Sequence, residues 1–216
     1  MKHIYLIRHG ETEANKARMH QTADEPLTAK GRLQAHHIAH VLAEKKIDVL
    51  VCSPYVRARE TAHIIGEQVS LPYTTEESLV EVKRPDHLYG QNYYSPQTLF
   101  YMWKLFTQRE HQKWDYNGAE NMFALRNRIK DAKRMLANVE GESIAAVSHD
   151  VFMNLFLAHT STDKKLSFAQ FVRVLLMSKK TPNTGIMHFE YDERAPKGVS
   201  SWRLIELIQP YPKSRT

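Results

Sequence analysis

The run Ile4-Tyr5-Leu6-Ile7 is almost continuously apolar, and it leads directly into Arg8 and His9. Two further runs, 47–51 and 144–147, have the same mainly apolar and largely β-branched or small side chains. Strands that are covered on both faces, as in a parallel sheet, have this composition. The three runs therefore predict strands at the centre of a mainly parallel sheet.

Helical patterns separate these strands. The stretch Thr28–Lys45 has its predicted buried positions at the helical period, with Leu33 as an exception: Gly31, Ala35, Ile38, Leu42 and Lys45. A second helix is predicted over Val56–Val69, with Pro54 suited to its first turn. Strands alternating with helices imply right-handed crossovers. The predicted fold is α/β, a three-layer sandwich with a mainly parallel central sheet and helices on both faces.

The segment from about 82 to 118 interrupts this alternation. It is rich in Tyr, Trp and His and contains one predicted helix, from Pro96 to Arg109. We interpret it as a small cap inserted into a single domain that spans residues 1–216. Its aromatic residues suit either a substrate pocket or a small core of the cap itself: Tyr89, Tyr93, Tyr94, Tyr101 and Trp103. The remaining predicted elements are helices at Gly118–Asn138 and Val151–Ala158 and strands at Thr184–Tyr191 and Trp202–Ile208.

Composition restricts the class of protein. The chain has 216 residues, of which 42% are hydrophobic and 25% charged, as expected of a folded globular protein. Cys52 is the only cysteine, so no disulfide can form within the chain, and the first apolar run is too short for a signal peptide or a membrane span. A net charge of +6 favours anionic partners, but the terminal cluster Lys213-Ser214-Arg215 is too short for a nucleic-acid arm. We predict a cytoplasmic protein without nucleic-acid or membrane partners, and the oligomeric state stays open.

Basic side chains follow each of the three predicted strands. Arg8 and His9 follow the first, Arg57 lies shortly after the second, and His149 follows the third. Because the carboxyl ends of parallel strands meet at one edge of a sheet, these side chains are expected to converge. Guanidinium and imidazolium donors suit the peripheral oxygens of a phosphoryl group. A neutral imidazole aimed at phosphorus can also form a phosphohistidine, and a nearby carboxylic acid can then protonate the leaving oxygen.

The stretch Arg8-His9-Gly10-Glu11-Thr12 resembles the RHG signature of the histidine phosphatase superfamily, which includes the phosphoglycerate mutase-like proteins. Further blocks match in order: Pro26-Leu27-Thr28 with Gly31, Gln34-Ala35, Ser53-Pro54 with Arg57-Ala58, Thr61-Ala62, and Val147-Ser148-His149. Four ordered blocks are far more specific than the three-residue signature alone. The resemblance implies a metal-independent phosphatase that needs no cofactor and hydrolyses a small phosphorylated substrate.

The resemblance also implies roles for individual residues. His9 would be the nucleophile that becomes phosphorylated. Arg8, Arg57 and His149 would bind the phosphoryl oxygens, and Asn15 and Gln21 would contact the substrate. Glu81 would be the general acid and base, with Glu76 and Glu77 as alternatives.

Asp150 departs from the superfamily pattern, which usually has glycine after the second histidine. A carboxylate there can repel the phosphate, pair with a neighbouring arginine, or cap the helix predicted over Val151–Ala158. The sequence favours the cap, with the Asp150 side chain turned away from the phosphate.

Two alternative functions remain open at this stage. A phosphoglycerate mutase would use the same His9 but would return the phosphoryl group to the substrate. The stretch Val82-Lys83-Arg84-Pro85 differs from the Glu-Arg-x-Tyr-Gly run of mutases, which favours hydrolysis. A catalytically weak phosphate-binding protein would retain the pocket without turnover. A metal site is not favoured, because His36 and His40 lie opposite the predicted buried face of their helix.

Overall fold

The structure is a computed structural model that describes residues 1–108, 111, 114–160, 166–167, 170, 173–174, 181–196 and 199–209. Its strands are β1 Lys2–Arg8, β2 Val49–Cys52, β3 Tyr73–Thr75, β4 Ser143–Ser148, β5 Ile186–Tyr191 and β6 Trp202–Ile208. They form one sheet in the order β3-β2-β4-β1-β5-β6. The four strands β1 to β4 are mutually parallel, whereas β5 and β6 are antiparallel to their neighbours. The predicted mainly parallel sheet is confirmed.

The helices are α1 Glu13–Ala17, α2 Ala29–Ala43, α3 Val56–Val69, α4 Pro96–Gln108, α5 Met122–Asn138 and α6 Asp150–Ala158. They cover both faces of the sheet. Tyr5 and Ile7 of β1 pack in the core that contains α2 and α3, whereas Ile4 and Leu6 pack with α4, α5 and α6. Since successive residues of a strand point to opposite faces, a strand covered on both sides must be apolar throughout. This explains the apolar run from Ile4 to Ile7.

Helix α2 buries the predicted face. Thr28 caps it by accepting the N–H of Gly31 at 2.9 Å, and Leu33 is 61% exposed, as its exceptional position implied. The helix ends at Ala43, so Lys45 lies beyond it and not on its face. Helix α3 has the predicted bounds, but Tyr55 is its N-cap residue. Pro54 therefore precedes the helix and does not belong to its first turn.

The predicted cap, residues 82–118, contains a 3₁₀ turn at Asp86–Leu88 and helix α4. Tyr101 is buried in the core on the α5 side, whereas Tyr94 and Trp103 are 50% and 59% exposed. The cap aromatics therefore do not form one core. No helix in the described ranges is both long and apolar enough to cross a bilayer.

The cap is bound to the loop that follows α1. The N–H of His20 donates to Gln91 O and the N–H of Gly90 donates to His20 O, both at 2.9 Å, and the N–H of Tyr93 donates to Arg18 O at 2.9 Å. These bonds hold the cap beside the loop that leads from β1 to α2.

Candidate active site

The sheet register brings the predicted site residues to one edge. Arg8 is the register partner of Ser148, and Cys52 is the partner of Val147. The next residues on the three strands are therefore neighbours: the N–H of His9 donates to Ser148 O at 3.1 Å, and the N–H of Ser53 donates to Val147 O at 2.9 Å. His9, Ser53 and His149 meet where the carboxyl ends of β1, β2 and β4 converge, as expected for a ligand site in such a sheet.

The imidazole of His9 is buried, with 2% of the residue exposed. Its Nδ1 donates to the carbonyl of Gly10 at 2.7 Å, which leaves Nε2 with a free lone pair. That lone pair accepts a hydrogen bond from Arg57 Nε at 3.2 Å. Burial, aided by the charges of Arg57 and Arg8, holds the pKa of His9 well below its ordinary value. The ring is thus neutral, the form needed for a nucleophile.

Arg57 is equally buried, although it carries a charge. Its Nη1 donates to Thr22 O at 2.7 Å, and its guanidinium lies 5.0 Å from the centre of the Tyr55 ring. Burial lowers the pKa of Arg57 to about 10, so the guanidinium remains a cation at neutral pH. In the described part of the chain no carboxylate forms an ion pair with it. A buried cation without a paired anion is suited to binding an anionic group.

His149 completes this group of rings. Its ring centre lies 5.2 Å from that of His9, and its Nε2 is 2.8 Å from Ser53 Oγ. Its buried Nδ1 has no hydrogen-bond partner among the described residues. Burial, followed by the charges of Arg57 and His9, lowers the pKa of His149. This lowering favours the neutral form of the His149 ring.

Arg8 approaches the site from the end of β1. Its Nη1 donates to the carbonyl of Thr181 and lies 3.3 Å from Asp150 Oδ2. Its Nε is buried without a hydrogen-bond partner among the described residues.

The predicted capping role of Asp150 is wrong. His149 occupies the N-cap position of α6, and Asp150 is the first residue of the helix. Its side chain pairs with Arg8 and accepts a hydrogen bond from Asn154 Nδ2 at 3.0 Å. The capping contacts come instead from Glu81, whose carboxylate accepts the N–H groups of Val151 and Phe152 at 3.3 and 3.0 Å. A cap supplied from another segment frees Asp150 to pair with the arginine.

Among the three candidate acids, Glu81 is the one whose charge acts on residues of this site. Its charge raises the pKa of both Arg57 and Asp150. Glu77 is exposed, and neither Glu76 nor Glu77 contributes to these shifts. The role of Glu81 as general acid beside His9 stays a prediction.

The sequence profile of the histidine phosphatase superfamily, branch 1, matches residues 4–202 of this chain. The chain belongs to the histidine phosphatase superfamily.

Relatives within the superfamily carry different names. A probable phosphoglycerate mutase, GpmB, from Serratia proteamaculans is 46% identical over 68 residues, which are 31% of this chain and 32% of the relative. A putative phosphoserine phosphatase 2 from Hydrogenobacter thermophilus is 35% identical over 83 residues, which are 38% of this chain and 41% of the relative. These matches span less than half the length of either relative.

A solved structure shares the fold over nearly the whole chain. It is a mycobacterial glucosyl-3-phosphoglycerate phosphatase in complex with VO3, with a TM-score of 0.70 and 20% identity. The match covers 94% of this chain and 97% of that chain.

In this histidine phosphatase superfamily member, Asn15 and Gln21 occupy different positions relative to His9. Asn15 Oδ1 accepts from Asn183 Nδ2 at 3.0 Å, and the same amide donates to the carbonyl of His9 at 3.1 Å. Gln21 Oε1 accepts from Thr12 Oγ1 at 3.0 Å, which orders the loop. Asn15 is thus joined to the His9 backbone through Asn183, whereas Gln21 lies one step further out.

Three further residues support the site: Ser53, Thr61 and Asn183. Thr61 Oγ1 accepts the N–H of Gly10 at 3.1 Å and donates to the carbonyl of Arg57 at 2.7 Å, so it joins two site segments. Thr61 and Ser53 both lie in blocks that match the superfamily, and that match could have revealed them. Asn183 lies shortly before β5 and outside these blocks, and no local sequence pattern connects it to His9.

The exposed histidines of α2 lie away from this group. His36 and His40 are exposed, as their position opposite Ile38 and Leu42 predicted. Within the described ranges no cluster of three or more His, Cys, Asp or Glu residues has the arrangement of a metal site.

The RHG segment requires glycine at two facing positions. A Cβ on Gly10 would lie 2.4 Å from Gly31 O, and a Cβ on Gly31 would lie 2.2 Å from Glu11 O. Both contacts are with backbone atoms, which cannot rotate away as a side chain can. The close approach of α2 to the residues that follow His9 therefore depends on the absence of these side chains.

We expect Gly31→Ala to lower the free energy of unfolding by about 3 kcal/mol, because the backbone of the RHG segment or of α2 must shift. Urea denaturation followed by circular dichroism measures this. His36→Ala, on the exposed side of the same helix, is the matched control and should change stability by less than about 0.5 kcal/mol. Equal stability of the two variants would mean that the close contact is relieved at no cost.

Proposed function

We propose that this chain is a phosphatase that hydrolyses a phosphomonoester of a small molecule through a phosphohistidine on His9, without a metal ion or cofactor. The observation that carries the proposal is the buried, unprotonated Nε2 of His9 beside the buried cation of Arg57. Membership of the histidine phosphatase superfamily supports it. The proposal includes a single domain with the cap at about 82–118 selecting the substrate, in a cytoplasmic protein.

In the first step, His9 Nε2 forms a bond to phosphorus while the bond between phosphorus and the leaving oxygen breaks. Glu81 gives its proton to that oxygen. In the second step, a water molecule attacks the phosphohistidine, Glu81 accepts its proton, and inorganic phosphate leaves with His9 regenerated. Arg8, Arg57 and His149 stabilise the charge on the phosphoryl oxygens, and Arg57 Nε moves from the lone pair of His9 to one of them.

Hydrolysis of p-nitrophenyl phosphate in the presence of EDTA tests the proposal. We expect release of inorganic phosphate at an unchanged rate after EDTA, and acid-labile phosphate on His9 after rapid quenching. A rate that EDTA abolishes would contradict the metal-independent route. Tight phosphate binding without turnover would instead support the non-catalytic alternative.

A phosphoglycerate mutase is the second candidate function, because the relative from Serratia carries that name. The stretch Val82-Lys83-Arg84-Pro85 supports hydrolysis over mutase activity, since it lacks the Glu-Arg-x-Tyr-Gly pattern of mutases. Incubation with 3-phosphoglycerate separates the two. A phosphatase releases phosphate, whereas a mutase produces the 2-phospho isomer.

The role of Glu81 predicts a dependence on the leaving group. With Glu81→Gln, we expect kcat/KM, which covers only the steps up to transfer of the phosphoryl group to His9, to fall about 10²- to 10³-fold for an alkyl phosphate such as glycerol phosphate, because the alkoxide needs a proton to leave. The loss should be about tenfold or less for p-nitrophenyl phosphate, whose phenolate leaves without one. Glutamine retains an oxygen that can accept the N–H of Phe152. Glu77→Gln, on an exposed residue, is the control, and a uniform loss for both substrates in Glu81→Gln would argue for a structural role.

A further inference from the structure

Asp150 occupies a position next to the proposed phosphoryl pocket where a carboxylate is unexpected. It directly follows His149, and its side chain is 15% exposed. Its Oδ2 lies 3.3 Å from Arg8 Nη1, and its Oδ1 accepts from Asn154 Nδ2 at 3.0 Å. The carboxyl is therefore fixed from two sides beside a residue that is proposed to bind the phosphoryl group.

The contacts of Arg8 show which edge of its guanidinium is available. Nη1 is occupied by the carbonyl of Thr181 and by Asp150. Nε is buried, and no described residue accepts a hydrogen bond from it. A guanidinium binds oxyanions with pairs of parallel N–H groups. With Nη1 held, the edge that carries Nε remains for a tetrahedral anion.

The charges around Asp150 come from several elements. Arg8 at the end of β1 and Arg84 in the cap lower its pKa, and Glu81 before the cap raises it. Asn154 on its own helix donates a hydrogen bond to it, and burial lowers the pKa of the adjacent His149. A dianion bound between Arg8 and Arg57 adds two negative charges beside this buried carboxylate. Repulsion at low effective dielectric is removed if the carboxylate becomes protonated.

We propose that Asp150 is a positioning residue that holds Arg8 with its Nε edge toward the phosphoryl pocket, and that it takes up a proton from solvent when the pocket binds a dianion. The protonated carboxyl keeps a carbonyl oxygen that accepts from Arg8 Nη1, so the arginine stays in place in both states. The proposal rests on the proposed function only in identifying the pocket as the anion site.

The proton affinity of Asp150 supports this coupling. Burial raises its pKa to about 7, despite the opposing charge of Arg8, and the charge of Glu81 contributes to the rise. A bound dianion raises the pKa further. Below about pH 7 the carboxyl is already protonated and binding needs no proton, whereas above it each binding event takes one up. Anion affinity should therefore fall as pH rises through this range, by at most about tenfold per pH unit for one proton.

Sulfate is the probe, because it remains a dianion throughout the pH range used and undergoes no turnover. Isothermal titration calorimetry at about pH 6 and about pH 8.5, in two buffers with different heats of ionisation, gives both the affinity and the protons taken up. We expect wild-type affinity to fall about tenfold or more between these pH values. Asp150→Asn, which has an oxygen for Arg8 but no charge, should bind sulfate more tightly than wild type at the higher pH. It should also take up about one proton fewer.

Two further variants complete the design. Asp131→Asn, on an exposed residue of α5, should behave as wild type. Asp150→Ala, which has neither charge nor oxygen, should bind sulfate several-fold more weakly than Asp150→Asn, because Arg8 loses its orientation. Circular dichroism and thermal melting confirm that each variant is folded.

Equal proton uptake in wild type and Asp150→Asn would overturn the coupling, since protons taken up by His9 or His149 persist in the variant. Equal affinity of Asp150→Ala and Asp150→Asn would overturn the positioning role. Sulfate binding needs no catalysis, so a chain that shows the predicted linkage but releases no phosphate would contradict only the phosphatase proposal. Turnover without the linkage would contradict only the role of Asp150.

Discussion

Replacing His9 with alanine is expected to lower kcat/KM for p-nitrophenyl phosphate by about 10⁴-fold or more. The substitution removes the atom proposed to bond to phosphorus. Nε2 is the unprotonated nitrogen of the ring, because Nδ1 donates to Gly10 O, and Arg57 Nε donates to Nε2. The neighbouring imidazole, His149, has its Nε2 2.8 Å from Ser53 Oγ.

Steady-state kinetics and rapid-quench trapping together test this expectation. The His9→Ala variant should retain no acid-labile phosphate, yet it should still bind sulfate, because Arg8, Arg57 and His149 remain. His36→Ala is the control for loss of a histidine and should turn over as wild type does. Residual activity above about one hundredth of wild type would point to a different nucleophile.

The centre of the fold was predictable because burial on both faces leaves a direct mark on sequence. The continuous apolar runs correspond to β1, β2 and β4, and Arg8 and His149 follow two of them. The edge strand β3 was not located, since its three residues, Tyr73 to Thr75, are partly or fully exposed and need no apolar run. Short edge strands are specified by pairing with a neighbour, which one segment alone does not reveal.

The site was predictable as a set of residues but not as a set of contacts. Strand ends place His9 and His149 together. The partner of Asp150, however, depends on whether Asp150 or another carboxylate accepts the first N–H groups of α6, which the sequence does not show. Glu81, 69 residues earlier in the chain, accepts the N–H groups that Asp150 was expected to cap. Long-range supply of a hydrogen-bond acceptor overrides a local preference whenever tertiary packing delivers it at the right distance.

Arg57→Met is expected to abolish most activity while raising thermal stability. Burial lowers the pKa of Arg57 from 12.5 to about 10. Because the pKa of Arg57 is lower in the folded than in the unfolded state, the buried charge lowers the free energy of unfolding at every pH below about 10. The decrease amounts to about 3 kcal/mol. The variant also loses the hydrogen bond to Thr22 O, which lowers its stability by about 1 to 2 kcal/mol and offsets part of this gain. The net gain of about 1 to 2 kcal/mol corresponds to a rise in Tm of about 4 °C.

The expected loss in kcat/KM is about 10³-fold, because the buried guanidinium is proposed to stabilise charge that develops on the phosphoryl oxygens. Methionine is unbranched and of similar length, so it fills the space without a charge. Arg59→Met, on the exposed side of the same helix, is the control and should change neither Tm nor activity appreciably. A variant that is less stable but fully active would show that Arg57 is a structural cation. Higher stability with lost turnover would instead show that the fold tolerates an unfavourable buried charge because the charge binds an anion.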